Sequence, residues 1–437
     1  MNSEALKKLD GPPREFLPPG GRSPKAISGG ALFIWIYLPE ASTPVVAGRL
    51  NIRATPTGSV GEFVYGQSYL ARSDAIPLDP VSLPLNNSAS PFTSLSGFPG
   101  VILDACPDRW GIAVIDRLLG KKSYPAGYLL MNDPGRAGNL AFSLAANEPP
   151  QELESREFPL VELLGAAVAV ETGQPVDPEL LRALHPGTGG ARPKCNIIDG
   201  DAVWIAKFPS VKDSPLISVP RLEHATMRLG REWCGIDSAE TRLKVVDGQE
   251  VCLVRRFDRT VFGDKTLRKG FISARSVFYA DPAYAAVATG SYGRFARWGQ
   301  RFGCTSEDRR QLFRRMVFNC AARNTDDHEL NHGLIHIKGS EFRLSQAFDI
   351  VPSLTPHEIH RHALLIGDSA SGTIANLVSN AKAFGINRDE ALAIIAEIQA
   401  AIAEHWRETF YEAGFGEEDL RRIEHVFRPI PIDAEIR

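Results

Sequence analysis

Asp326 and Asn331 stand five residues apart in the run Asn324-Thr325-Asp326-Asp327-His328-Glu329-Leu330-Asn331, and Asp349 follows Asn331 by eighteen residues. Phosphoryl transfer to a hydroxyl uses such a set: a carboxylate that accepts the proton, then an amide and a second carboxylate that hold a divalent cation. Between Asn331 and Asp349 lie two short β-type runs, Gly333-Leu334-Ile335-His336-Ile337 and Glu341-Phe342-Arg343-Leu344, around the turn Lys338-Gly339-Ser340. A hairpin there would set the two metal ligands side by side. Asp and Asn are equally at home in plain polar turns, so the parts upstream decide whether the spacing means chemistry.

Those parts occur in a fixed order. A Gly-rich stretch, Pro186-Gly187-Thr188-Gly189-Gly190-Ala191-Arg192-Pro193-Lys194, can offer backbone N–H groups to phosphate oxygens because residues without Cβ let the chain approach closely. It matches neither the Walker A pattern nor GxGxxG, and alone it reads more readily as a plain surface loop. Lys207, in Trp204-Ile205-Ala206-Lys207-Phe208, shares a strand face with Val203 and Ile205, so its stem crosses apolar surface with the ammonium at one end. Glu223, on a helical stretch spanning 221–233, is its candidate anchor, as in the kinase Lys–Glu pair. Gly loop, strand Lys, helix Glu, second hairpin, helices, Asp-x4-Asn, hairpin and Asp together make kinase order. The histidines (His328, His332 and His336; then His357, His360 and His362) lack the thiolate or H-E-x-x-H context of a zinc site, and the second group is expected as surface or satisfied polar residues.

The bulk properties set the frame. The chain has 437 residues, is 43% hydrophobic and 23% charged, and carries a net charge of -3. This length predicts two or three domains, and the near-neutral balance gives no general attraction to nucleic acid or anionic membrane. Six cysteines without CxxC spacing predict reduced thiols. No apolar run approaches the roughly twenty residues of a membrane span, which predicts a cytoplasmic protein with no membrane partner.

Residues 1–30, rich in Pro and Gly, read as a flexible tail. Strand-like runs at 31–38, 45–52, 62–65 and 139–143, with a helix opening at Pro107 and Asp108 in its first turn, predict a mixed α/β unit over 31–147. A helix at 159–172, a shorter one from Pro178, and hairpins turning on Asp199-Gly200 and Asp247-Gly248 predict a second unit over 151–259. From 260 to 437 helices dominate. The best marked begins at a capping box, Asn387 with Glu390, and carries Leu392, Ile395, Ile398, Ile402, Trp406 and Phe410 as its apolar stripe before Gly414.

Gly189-Gly190-Ala191-Arg192-Pro193-Lys194, Ile205-Ala206-Lys207-Phe208-Pro209, Arg256-Phe257-Asp258-Arg259, the run 324–331 and Ala347-Phe348-Asp349 together resemble the HipA family of bacterial Ser/Thr protein kinases, typically toxins of type II toxin–antitoxin modules. Cys106-Pro107-Asp108-Arg109-Trp110-Gly111 and Asn132-Asp133-Pro134-Gly135-Arg136-Ala137-Gly138 resemble its N-terminal signatures. The resemblance implies an α+β, divergent protein-kinase-like fold with an N-terminal mixed α/β domain, an all-helical C-terminal domain and ATP between them. It implies that Gly189, Gly190, Ala191, Arg192, Pro193 and Lys194 form the phosphate loop and that Lys207 meets phosphate. Arg255, Arg256 and Phe257 would line the adenine through backbone groups. His328, Glu329, Leu330 and Asn331, with Phe348 and Asp349, would complete the nucleotide site. Asn331 and Asp349 would hold Mg²⁺, and Asp326 would accept the proton. A protein substrate and a small helix-turn-helix antitoxin are the implied partners, with DNA reached only through the antitoxin; some family toxins modify aminoacyl-tRNA synthetases.

Two departures from the family pattern stand out. Asp327 replaces the usual Arg before the His, adding a negative charge that would either weaken phosphate affinity or change the protein substrate. The place of a Ser that some members autophosphorylate falls on Gly187, leaving Thr188 as the nearby hydroxyl. These motivate an alternative: a weakly active member acting as a binding partner or corepressor with a DNA-binding antitoxin. A metal-dependent hydrolase using the Asp and His cluster would leave Lys207 and the Gly loop without a task.

Overall fold

The structure, a computed structural model, describes residues 31–433 apart from 57, 121–124, 153–155, 185–189, 264, 285–288 and 358–359. The expected tail and the Gly187-Thr188-Gly189 part of the expected phosphate loop therefore lie outside the described residues.

The first sheet is antiparallel, in the order β4-β3-β2-β1-β5, with β1 at Leu32–Ile36, β2 at Val45–Thr55, β3 at Gly58–Tyr65, β4 at Ser90–Phe92 and β5 at Leu140–Ser143. Leu32, Ile34 and Ile36 alternate into its core. Helix α1 covers Arg109–Leu119. Asp108 is not in its first turn, as expected, but is its N-cap, accepting a hydrogen bond from the Gly111 amide. Helices α2 (Leu160–Thr172) and α3 (Pro178–Ala183) follow.

The second sheet runs β6-β7-β9-β8: β6 at Lys194–Asp199, β7 at Ala202–Lys207, β8 at Thr241–Val246 and β9 at Gln249–Arg255. Both expected hairpins form. The second turns on Asp247 and Gly248, both at positive φ (48° and 73°), as a type I′ turn demands. In the first, Asp199 pairs with Ala202, so the turn falls on Gly200-Asp201, one residue later than expected. Strand alternation then divides the sheet. Trp204, Ala206, Val251 and Leu253 pack with Trp110 and Val114 of α1, Leu163 and Ala167 of α2 and Leu181 of α3. Lys207 lies opposite Cys252 and Ile205 opposite Val254, on the face covered by helix α4 (Val219–Glu232), whose Leu222, Ala225 and Met227 share a core with Cys252 and Val254.

The C-terminal part is not all helical. A short hairpin, β10 (Arg259–Phe262) with β11 (Lys265–Arg268), precedes β12 (Phe271–Ser273), which pairs with the expected hairpin of β13 (Gly333–Lys338) and β14 (Glu341–Leu344). An isolated hairpin is marginal in water; β12 adds the third strand that steadies it. Helix α6 (Ser306–Ala321) packs on β14, and α5 (Tyr292–Gly299) and α7 (Arg388–Glu412) pack in turn on α6. The capping box of Asn387 and Glu390 forms as expected. Leu392, however, is exposed, and Ala391 takes its place beside Ile395, Ile398 and Ile402, because one residue is a 100° rotation on a helix. All six cysteines are unpaired. Among the described residues no helix is long and apolar enough to cross a membrane.

Candidate active site

Lys207 closes β7 with its side chain on the α4 face, and Glu223 sits one turn into α4. The two meet, as the sequence predicted: Lys207 Nζ lies 2.5 Å from Glu223 Oε1. The same ammonium donates to Asp349 Oδ1 at 2.6 Å. Lys194 is directly across the ladder from Lys207, and its Nζ pairs with Asp108 Oδ2 at 2.7 Å. A Cβ added to Gly190, whose φ is 125°, would come within 2.7 Å of that Nζ. The described end of the Gly stretch therefore closes over a lysine.

The β13–β14 hairpin delivers the remaining groups. The Ser345 amide bonds back to the Gly333 carbonyl, returning the chain beside the exit of the 324–331 loop. The Ala347 amide then bonds to the Asp237 carbonyl, and the Ala239 amide to that of Ala347, pinning the approach to Asp349 against the connector between α4 and β8. Asp349 itself has a φ of 59°, a left-handed conformation that costs a non-Gly residue of order 1–3 kcal/mol and persists only where the surroundings impose it. Within the loop, the Asn331 side-chain amide donates to the Asp326 carbonyl at 3.3 Å, and the Asn331 backbone amide to the His328 carbonyl at 2.9 Å. The Asp326 side chain faces outward, in an exposed position.

Charge explains the protonation states. Burial raises the Asp349 carboxyl, but the ammonium of Lys207, with Lys194 and His328 adding to it, outweighs burial and lowers it to about 2. Burial opposes the charge on Lys207, yet Asp349 and Glu223 more than compensate and raise it above the ordinary lysine range. Glu223, buried more deeply, is raised by desolvation that Lys207 only partly offsets.

Arg192 pairs with Asp213 at 2.6 Å, Pro193 is buried, and Ala191 and Leu330 are exposed. The Glu329 carbonyl accepts from the Arg275 amide. Arg255 is exposed and pairs with Glu240 at 3.2 Å, and the amides of Arg255 and Arg256 bond to the carbonyls of Glu240 and Val203. The Phe257 ring lies 5.7 Å from that of Phe348, the neighbour of Asp349. The Arg256 guanidinium reaches Asp258 and the carbonyls of Gly135 and Arg136. Asp258 also binds Arg259 at 2.9 Å and accepts from the Gly138 amide. The signatures at 132–138 and 256–259 thus interlock in a buried charge cluster. Asp258→Asn should lower the unfolding free energy by about 3–5 kcal/mol, because two buried arginines lose their shared counter-ion; a change under about 1 kcal/mol in a urea melt would show the cluster to be idle.

Asp327 corrects an expectation. It adds no charge facing phosphate, because it is 2% exposed. Its Oδ2 accepts from His332 Nε2 at 2.7 Å, Asn319 Nδ2 at 2.8 Å and the Tyr292 hydroxyl. Desolvation pushes its pKa up, but His332, the Tyr292 hydroxyl and the nearby Arg315 charge bring it below the ordinary range. Nothing in the spacing flagged Tyr292 or Asn319, which come from separate helices. His360 and His362 take the second of the two expected forms, buried polar residues with partners: they contact Arg323 Nη1 and the Asn324 carbonyl just ahead of the loop.

Oxygen donors on Asn331 and Asp349, the latter ionised to low pH, suit a hard cation such as Mg²⁺. Among the described residues no group of three or more His, Cys, Asp or Glu could hold a metal, so the cation would need phosphate and water oxygens to fill its shell. Cavities of about 370 and 390 Å³ lie against α4 and the β8–β9 hairpin, and neither is lined by Lys207 or Asp349.

Residues 187–406 match the family model of the HipA-like C-terminal domain. Among solved structures, HipA in the Shewanella oneidensis MR-1 toxin–antitoxin complex of HipA, HipB and operator DNA aligns with a TM-score of 0.64 at 16% identity, over 91% of this chain and 95% of that one. The Helicobacter pylori proinflammatory kinase CtkA aligns with a TM-score of 0.36 at 12% identity, over 54% of this chain and 92% of its own, too slight a likeness to argue from. No curated protein sequence matches. At such identities the first likeness speaks for the fold alone.

Proposed function

The chain belongs to the HipA family, and from that premise we propose that it is an ATP- and Mg²⁺-dependent protein kinase that phosphorylates a Ser or Thr of a host protein. The observation that carries this reading is the single ammonium of Lys207 shared between Glu223 at 2.5 Å and Asp349 at 2.6 Å. Three elements far apart in sequence converge there on a cation poised for phosphate and a carboxylate poised for metal.

In this reading Gly190 and Lys194 border the triphosphate, Lys207 holds its α- and β-oxygens, and Phe257 and Phe348 flank the base. Mg²⁺ held through Asn331 and Asp349 would neutralise charge on the phosphate oxygens. Asp326 takes the proton of the acceptor hydroxyl as its oxygen bonds to the γ-phosphorus, and the bond from that phosphorus to the bridging oxygen breaks to release ADP. The repulsion of phosphate expected of Asp327 does not apply, since that carboxylate faces inward. Assembly with a small helix-turn-helix antitoxin, and with DNA through it, is proposed from the Shewanella complex.

Incubation of the purified chain with γ-labelled ATP and host lysate, with and without Mg²⁺, tests the proposal. Label on Ser or Thr of a lysate protein, absent without Mg²⁺, is the expected result. ATP binding with no transfer to any protein would sink the kinase reading and leave a nucleotide-binding partner of the antitoxin.

A further inference from the structure

We infer that Asp327 is a positioning residue: its buried carboxylate, gripped by His332, Asn319 and Tyr292, fixes the loop that presents Asp326 to the acceptor hydroxyl. The inference rests on the kinase reading for the role of Asp326, but the grip itself is a property of the fold.

Asp326 and Asp327 are neighbours with opposite surroundings. The first is exposed, and the second is among the most buried carboxylates of the chain. A loop that carries a reactive group outward needs an anchor inward, and three donors from three elements supply it. Tyr292 opens α5, Asn319 lies in the last turn of α6, and His332 immediately precedes β13. Asn319 ties the same point twice more: its Oδ1 accepts from Asn324 Nδ2 at 3.2 Å, and its carbonyl accepts from the Asn324 amide at 2.9 Å. The Arg315 guanidinium, also buried, adds favourable charge from α6.

The grip extends to the metal ligand. Asn331, next to His332, donates to the Asp326 carbonyl, so the base, the anchor and the amide ligand form one short hydrogen-bonded ring of chain. Moving Asp327 would therefore displace Asp326 and Asn331 together. The Lys207–Glu223–Asp349 cluster stands on other elements and would stay in place. A displacement of an ångström at reacting groups can cost about a hundredfold in rate, whereas nucleotide affinity depends mainly on groups that do not move.

The test is a set of variants read in two ways. Asp327→Asn should lower kcat about 10- to 100-fold, with KM for ATP changed by less than about twofold. It should also speed hydrogen exchange of the 324–332 amides selectively over those of α6. Tyr292→Phe, which removes only the hydroxyl that donates to Asp327 and accepts from Asn319 Nδ2 at 3.1 Å, should give the same signature with kcat lowered several-fold and covers the case in which Asp327→Asn folds poorly. An unchanged kcat with an unchanged exchange profile overturns the inference, as does an equal rise in exchange throughout α6, which would mark general destabilisation. If the unmodified chain transfers no phosphate while the variants still loosen the loop selectively, the kinase reading fails and the anchor stands.

Discussion

Asp326→Asn should abolish phosphoryl transfer, lowering kcat by about 10²–10⁴-fold, the range for loss of a positioned general base. Binding of Mg²⁺-ATP should persist. The asymmetry follows from geometry: Asp326 projects outward, while the Lys207 cluster is held by β7, α4 and the segment after β14. An amide has nearly the shape of the carboxylate but cannot take the hydroxyl proton. The substitution is at an exposed position, so the melting temperature should move little. Titration with a fluorescent ATP analogue beside a single-turnover transfer assay separates the two quantities. A variant that binds nucleotide and transfers at full rate would assign the base elsewhere; one that loses binding would place Asp326 among the nucleotide ligands.

Much of this site was legible because it depends on short-range rules. Alternation along 203–207 put Lys207 on the helix-covered face, and Asp-Gly and Lys-Gly-Ser turns drew the hairpins, with a slip of one residue at Gly200-Asp201. The capping box at Asn387 and Glu390 located α7, although the stripe drawn from it misplaced Leu392. What stayed hidden depends on tertiary placement. Consecutive aspartates read identically in sequence, and only the backbone path sends Asp326 out and Asp327 in. The acceptors of Arg256 at Gly135 and Arg136 lie in another part of the chain, so a motif that resembles an adenine-lining segment gave no sign that its arginine side chain is a latch. Likewise the strand β12 is too short to read from three residues, and it forms because the edge of β13 offers unpaired backbone groups.

Lys207→Met should have the other large effect, and its character distinguishes phosphate binding from mere architecture. Removing the ammonium leaves Glu223 and Asp349 facing each other with no cation between them. Breaking a buried pair in this way costs about 3–5 kcal/mol, and transfer should fall by at least about a hundredfold with the loss of the phosphate contact. The acid limb of stability should change as well. Asp349, held at about 2 in the folded chain against about 3.9 for a free Asp, contributes stability that is present above pH ~4 and lost as pH falls through ~2. Lys207→Met should flatten that part of the profile in urea melts between pH ~4 and ~2. Glu223→Gln offers the contrast. It leaves Lys207 with Asp349 as its one charged partner, so the ammonium competes with the cation for that carboxylate, and half-maximal activity should need several-fold more Mg²⁺. Lys207→Met removes that competition, so its Mg²⁺ requirement should not rise even as its rate collapses. If both variants shift the Mg²⁺ requirement alike, Glu223 does not steer Lys207 away from the metal ligand, and the pair serves only to hold β7 against α4.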